Sequence, residues 1–288
     1  MFGNLVGVLF DGLAYGSLMF VISIGLSVTM GLMNFVNLAH GAFAMVGGYA
    51  CVILMNRLGV PFLLTLPIAF VVSALVGMVL ERTLYQRLYK ASALDQVLFS
   101  IGLTFIAVAA ASYAFSPSQQ PVHLPQFLIG QVRVLGIDLG IYRLFLIAVV
   151  VAITLALGYL LERTRFGAQV RASVDNQQAS AGMGINVNRV FAVTFALGSG
   201  LAGIGGALGI DVLGLDPTFP LKYMVYFLLV VAVGGAGSIK GSLVAAVILG
   251  VFDVAGKYYV PEIGAFIIYA LMVLLLIPFP AGLYGRKA

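Results

Sequence analysis

Long apolar runs separated by short polar joints dominate the chain. Set against the charged positions, they delimit segments at 5–30, 38–56, 61–80, 94–115, 141–161, 189–210, 222–236, 240–256 and 263–283. A membrane-crossing helix takes about 20 mostly apolar residues, so roughly eight to ten crossings fit and the runs point to eight or nine. Barrel strands would alternate apolar and polar residues, and these runs do not. From Asp11 to Arg57 no Asp, Glu, Lys or Arg intervenes. That stretch is too long for one crossing, so it must reverse, around 31–41. With no formal charge to hold it in water, the reversal is expected inside protein or facing a cavity, where irregular backbone is tolerated.

Two joints are longer than a turn. Residues 116–140 are Pro-rich at first, then alternate as Gln131-Val132-Arg133-Val134 before Gly136, which reads as an external loop with room for a small hairpin. Residues 162–189 form the longest polar stretch. There Phe166, Val170, Val174 and Ala181 recur near helical spacing, with Gly182 and Gly184 ending the pattern. A short helix lying flat at the cytoplasmic face fits this pattern, and so does a solvated linker.

Composition agrees. The chain is 62% hydrophobic and 9% charged, with a mean hydropathy of +1.12, against about 45–50% and 25% for soluble domains. So few charges cannot cover a water-facing surface, so a soluble globular protein is excluded. The reading is all-α: a polytopic transmembrane helical bundle in one domain, 1–288. Glycine, at 35 of 288 residues, suits helices packed through small residues. The single cysteine, Cys51, allows no intrachain disulfide and reads as a packed side chain. Met1-Phe2-Gly3-Asn4 lacks the basic region of a secretory signal, so the first apolar segment is expected to be retained.

Lys and Arg set the orientation. With Arg286 and Lys287 inside, alternation also places Arg82, Arg87, Lys90, Arg163, Arg165, Arg171, Arg189 and Lys240 inside. Arg57, Arg133, Arg143, Lys222 and Lys257 fall outside. The C-terminus is therefore expected in the cytoplasm and the N-terminus on the outer side.

Candidate chemistry is sparse. Gly234-Gly235-Ala236-Gly237-Ser238-Ile239-Lys240-Gly241 lacks the order of a phosphate-binding loop and reads as a helix–turn–helix junction. Neither His40 nor His123 has a carboxylate at ligand spacing, so no metal is expected. No Ser or Cys has a partnered base, so no catalytic residue is assigned. The polar cluster Asn34, Asn37 and His40 recurs every three residues in an apolar setting. Such groups either bond across helices and hold the reversal shut or, with Gly41, line a translocation path. Asp11 and Asp253, with Glu81 and Asp95 at segment edges, read as interfacial or helix-pairing acids rather than a proton relay. The pairs Gly12/Gly16, Gly205/Gly209 and Gly237/Gly241, and the series Gly198, Ala202, Gly206, let backbones approach closely within the bundle or at a subunit seam.

In combination these pieces resemble a known family. Gly31-Leu32-Met33-Asn34-Phe35-Val36-Asn37-Leu38-Ala39-His40-Gly41 followed by Gly47-Gly48-Tyr49 is similar to the first signature of bacterial branched-chain amino-acid ABC permeases of the LivH type. Further matches are Arg165-Phe166-Gly167, Arg171-Ala172, Asp175-Asn176, Ala179, Gly184-Ile185-Asn186 and Arg189. Phe195-Ala196-Leu197-Gly198-Ser199-Gly200-Leu201-Ala202-Gly203, the 234–241 junction and Pro278-Phe279-Pro280-Ala281-Gly282-Leu283-Tyr284-Gly285 complete the set. The resemblance runs over 5–285.

The resemblance implies a fold like a type II ABC importer permease in the bacterial inner membrane. The implied partners are a second, LivM-like permease, two cytoplasmic ABC ATPases, a periplasmic solute-binding protein and membrane lipid, with no nucleic acid. No cofactor is expected in this chain, since ATP with Mg belongs to the ATPases. Loop 162–189 becomes the coupling segment, with Arg171, Asp175, Ala179, Gly182, Gly184 and Ile185 docking into an ATPase. Gly198, Ala202, Gly206, Gly234, Gly235, Gly237 and Gly241 become packing positions. The cargo would be leucine, isoleucine, valine or a related small solute. A stand-alone channel or secondary carrier is the competing class, but it would need intramembrane charge that this chain nearly lacks. A membrane enzyme would need a constellation that is missing.

Overall fold

A computed structural model describes residues 2–33, 35–134 and 137–285. Among them, six helices are long and apolar enough to cross a membrane and three apolar helices are shorter. The order is α1 (Phe2–Met33), α2 (His40–Asn56), α3 (Phe62–Thr83), α4 (Ala93–Phe115), β1 (Gln131–Val134), β2 (Ile137–Gly140), α5 (Ile141–Arg163), α6 (Arg165–Asp175), α7 (Gln177–Gly182), α8 (Val187–Leu213), α9 (Phe219–Gly234), α10 (Ile239–Tyr259) and α11 (Gly264–Leu276). The chain is thus an all-α, multi-pass integral membrane protein. Arg286 and Lys287, used above for orientation, lie outside the described residues.

Local chemistry sets the boundaries. At the start of α4, Ser92 Oγ accepts the Asp95 N–H at 3.2 Å while Asp95 Oδ2 accepts the Ser92 N–H at 3.3 Å, a reciprocal cap. The β1–β2 hairpin pairs Arg133 with Asp138 in register, and their side chains form an exposed ion pair at 2.8 Å. Several expectations need correcting. Helix α9 starts at Phe219 rather than 222, because Pro220 is tolerated in a first turn whose N–H groups have no intrahelical partner. Helix α11 stops at Leu276, not 283, because Pro278 and Pro280 cannot continue it. The polar 162–189 stretch holds two helices, not one, since Asn176 is extended (φ −156°) and its side chain caps α7 by accepting the Ala179 N–H at 2.9 Å. Ala181, expected on the apolar face, is exposed, and Ser180 is buried instead.

Helices α1 and α8 form the centre and run antiparallel. A methyl at Gly25 would overlap the Gly198 carbonyl, and one at Gly205 would overlap the Ile22 side chain. Each centre helix has an antiparallel flanker. Gly12 of α1 meets Val251 in the second half of α10 and Gly31 meets Gly237 just before α10 begins, while Gly203 of α8 meets Ser73 of α3 and Ser199 meets Gly77. Two units therefore share one plan: a long helix (α1, α8), a bend, a short helix (α2, α9) and a flanking helix (α3, α10). Because α1 and α8 are antiparallel, the units are inverted relative to each other. Helices α4 and α5 lie outside and expose Phe105, Ile106 and Leu155, a lipid-facing surface.

Both bends sit inside the bundle. Leu215, between α8 and α9, is fully buried and packs so closely on Gly48 of α2 that a methyl there would lie 3.0 Å from its side chain. The 214–218 bend also holds the hairpin-end loop, since the Leu215 carbonyl accepts the Gln120 N–H at 2.8 Å. Asp11 pairs with Arg143 of α5, a helix-to-helix contact. Glu81 and Asp253 are not interfacial: they are 0% and 1% exposed. Asp253 bonds Lys257 one turn along its own helix, and Glu81 accepts the Tyr89 hydroxyl.

Candidate functional site

The α1–α2 reversal is the most polar structure buried in the bundle. Asn34 lies outside the described residues. From Phe35 to Ala39 the backbone is not helical, so its N–H groups need partners from elsewhere. Helix α4 supplies them: Val36 N–H donates to Gln96 Oε1 at 3.2 Å and Leu38 N–H to Ser100 Oγ at 3.1 Å. Gln96 is itself oriented by donating to the carbonyls of Leu88 (3.2 Å) and Ala91 (3.4 Å).

Asn37 is the hub. Its Oδ1 accepts the Ala39 N–H at 3.1 Å and the Tyr85 hydroxyl at 3.0 Å. Two donors converging on this atom identify it as the oxygen, which leaves Nδ2 as a buried donor with no partner among the described residues. Tyr85 is fully buried against Phe35, Phe99 and Phe195, with ring centroids at 5.2, 5.3 and 4.7 Å. His40 Nε2 lies 2.8 Å from the Ile22 carbonyl. A carbonyl only accepts, so that nitrogen carries a proton.

Gly41 brings α2 against α9. A methyl there would lie 3.0 Å from Pro220 Cα, so the first turns of the two short helices touch within the bundle. Helix N-termini carry partial positive charge, and two of them meet here. Asn37, His40 and Gly41 face Leu26, Met224 and Phe227 across a crevice too narrow to admit a water molecule. The arrangement is closed: His40 and the Asn37 oxygen hold the reversal in place, while Nδ2 is left over.

At the end opposite the hairpin, α6 and α7 project from α5. Gly167 packs so tightly on the Leu161 carbonyl that no side chain fits, and Arg171 donates to the same carbonyl. Asp175, Ala179, Gly182 and Gly184 are exposed, and Ile185 is half-buried. Gly184 has φ +84°, a conformation that favours glycine. Its neighbour Met183 is 71% exposed, and the Ile185 N–H closes the turn on Ser180 O at 3.0 Å. Arg171 and Asp175 also line a cleft of about 340 Å³ with Gly31, Gly237 and Tyr284.

The small residues named in the sequence lie in intrachain contacts. Gly198 meets Gly25, Gly206 meets the Ala44 carbonyl, and Ala202 is fully buried. Gly234 packs on Gly241, Gly235 on Gly285, and Gly237 on Gly31. The Gly237 N–H donates to Ser27 O at 3.0 Å, and Ser242 bonds Ser27 through their hydroxyls at 2.9 Å.

Sequence reasoning missed Tyr85, Gln96 and Ser100. A signal for two of them existed. Gln96, Ser100 and Thr104 recur every four residues in an otherwise apolar helix, and all three are buried. Polar groups on one face of a lipid-embedded helix need partners. Tyr85, in the 3-10 turn Tyr85–Leu88, carried no such pattern.

Comparison with known proteins gives a consistent result. Residues 8–276 match the family model described as branched-chain amino acid transport system / permease component. The high-affinity branched-chain amino acid transport system permease protein BraD of Pseudomonas aeruginosa is 27% identical, over 96% of this chain and 95% of its own. The corresponding LivH of Escherichia coli is 25% identical over 96% and 94%. A probable LivH of Methanocaldococcus jannaschii is 27% identical over 94% and 87%. No solved structure matches.

Proposed function

Because the chain belongs to the family of branched-chain amino acid transport permease components, we propose that it is a membrane subunit of an ATP-driven importer for leucine, isoleucine, valine or a close analogue. The observation that carries this reading is the family match across 8–276, on a chain whose apolar helices suit a multi-pass membrane protein. In this reading the chain pairs with a second, homologous permease. Two cytoplasmic ATPases supply the energy, and a periplasmic binding protein delivers the solute. The chain hydrolyses nothing itself.

The α6–α7 segment, with Arg171, Asp175, Ala179, Gly182, Gly184 and Ile185, docks into an ATPase. Exposure of this segment at one end of the bundle supports the assignment. Arg82, Arg87, Lys90, Arg163, Arg165, Arg189 and Lys240 lie at that same end, which supports a cytoplasmic location for it. The membrane is then the bacterial inner membrane, with the C-terminus inside and the N-terminus outside. Asn37, His40 and Gly41, with Asn34, border the solute path. ATPase closure shifts the balance between access states through differential contacts, and the crevice opens when α9 withdraws from the reversal.

Affinity purification from the native membrane in mild detergent, with mass spectrometry of what accompanies the chain, tests the reading. Two ATPases and a second hydrophobic permease are expected. A stable, monodisperse chain recovered alone would refute it.

A further inference from the structure

Between α1, α9, α10 and α11, apart from the reversal, lies a second polar cluster. Lys257 Nζ donates to Asp253 Oδ2 at 2.6 Å. The same ammonium sits over two ring faces, 5.7 Å from the centroid of Tyr15 and 5.8 Å from that of Tyr226. Tyr269 packs on Tyr226 at 6.4 Å. Asp253 is 1% exposed, and its other oxygen, Oδ1, is buried with no hydrogen-bond partner among the described residues.

Structural pairing of α10 leaves that oxygen unexplained. A buried carboxylate oxygen is costly unless it accepts a hydrogen bond; the Lys257 contacts with Tyr15 and Tyr226 account for the ammonium and for Oδ2, but not for Oδ1. Donor and acceptor capacity instead remain side by side: Lys257 has three N–H donors with one committed, and Asp253 has a whole oxygen free. Together they complement a ligand that carries an ammonium and a carboxylate on one carbon. The tyrosine faces hold the Lys257 ammonium in place beside Asp253.

We propose that Asp253 and Lys257, walled by Tyr15, Tyr226 and Tyr269, form a binding subsite for the zwitterionic head of an α-amino acid. Asp253 Oδ1 accepts from the ligand ammonium, and Lys257 donates to its carboxylate. The inference rests on the amino-acid cargo proposed above and places a recognition step at the hairpin end of the bundle. Helix α9 connects the two places, with Tyr226 facing the cluster and the adjacent Phe227 lining the crevice. Lys257 is exposed while the Asp253 carboxyl is buried, so a ligand that first meets the ammonium reaches Asp253 Oδ1 only as the helices part.

Binding of labelled L-leucine to the assembled permease pair with its ATPases, in nanodiscs and without the binding protein, tests this. Saturation-transfer NMR registers weak association. Wild type is expected to bind leucine saturably. It should bind isopentylamine and 4-methylpentanoate, each with one charge, at least about tenfold more weakly. Asp253→Asn and Lys257→Gln should each lower leucine affinity by about tenfold or more, with Asp253→Glu restoring part of it. Two variants guard against one failing to assemble.

Leucine binding unchanged in variants that assemble normally would overturn the proposal, as would no saturable binding by wild type. Phosphatidylethanolamine presents the same pair of charges, so the series is repeated in phosphatidylglycerol discs. An Asp253 effect that persists there supports amino-acid cargo, and one confined to phosphatidylethanolamine discs overturns it. Binding-protein-dependent uptake by the wild-type assembly separates the two levels. No uptake of any amino acid removes the importer reading and the subsite together, whereas normal uptake with unaffected variants removes the subsite alone.

Discussion

Replacing Asn37 with leucine tests whether the reversal is held by the hydrogen bonds described. The substitution strands two buried donors, the Tyr85 hydroxyl at 3.0 Å and the Ala39 N–H at 3.1 Å. Each stranded buried donor costs about 1–3 kcal/mol, so the gross loss is about 2–6 kcal/mol. Asn37 Nδ2 has no partner among the described residues, and removing it recovers about 1–3 kcal/mol. The net destabilisation expected is therefore about 1–3 kcal/mol. In a Tyr85→Phe background only the Ala39 donor is stranded, and the cost of Asn37→Leu falls to near zero. Equilibrium unfolding of the purified chain in mixed micelles, titrated with SDS, gives all four corners of the cycle. Additivity within about 0.5 kcal/mol would mean that the two side chains are independent, and the account of the reversal would fail.

Other outcomes follow from the same geometry. Gly206→Ala, whose methyl would overlap the Ala44 carbonyl, should cost several-fold more stability than Gly102→Ala, which has nothing within 4 Å; equal thermal stabilities would refute the close α2–α8 approach. Burial pushes the Asp216 carboxyl up, but Lys222 and the Thr218 hydroxyl and N–H outweigh it and hold the carboxyl below its usual range. A depressed folded value means that its contribution is present above the ordinary carboxylate range and lost as pH falls through the folded value. Thermal stability should therefore decline on acidification, and Asp216→Asn should flatten that part of the profile; an unchanged profile contradicts the pairing. Arg171→Glu combined with Gly184→Val, the latter strained at φ +84°, should abolish ATPase co-purification and uptake while membrane insertion stays normal. Uptake at the wild-type rate would refute the coupling role.

Most helices were legible because apolar run length is set by membrane thickness. The buried reversal was legible for a related reason: a charge-free turn has no business in water. Its fastenings were not. Asn37 finds Tyr85 48 residues away, and Leu38 finds Ser100 62 residues away. Such pairings come from how α3 and α4 pack, which no local pattern encodes. The buried acids were missed for the opposite reason. Glu81 and Asp253 stand near segment ends, where an acid ordinarily meets water, and only the neighbouring helices bury them. The break at Asn176 was hidden by an apolar spacing that two short capped helices satisfy about as well as one.

The placement of α2 has a consequence for how the chain is made. Seventeen residues long and beginning inside the bundle, α2 is anchored by groups synthesised after it, Ser73 and the α8 glycines Gly203 and Gly206, and the reversal before it by Tyr85, Gln96 and Ser100. As a nascent chain leaves the ribosome, its first reversal can be threaded but not locked until α8 has emerged. In a Cys51→Ser background, a cysteine placed at Ala44, where Gly206 of α8 packs on α2, should be open to thiol labelling in stalled chains ending before Gly203, and chains released beyond α8 should protect it.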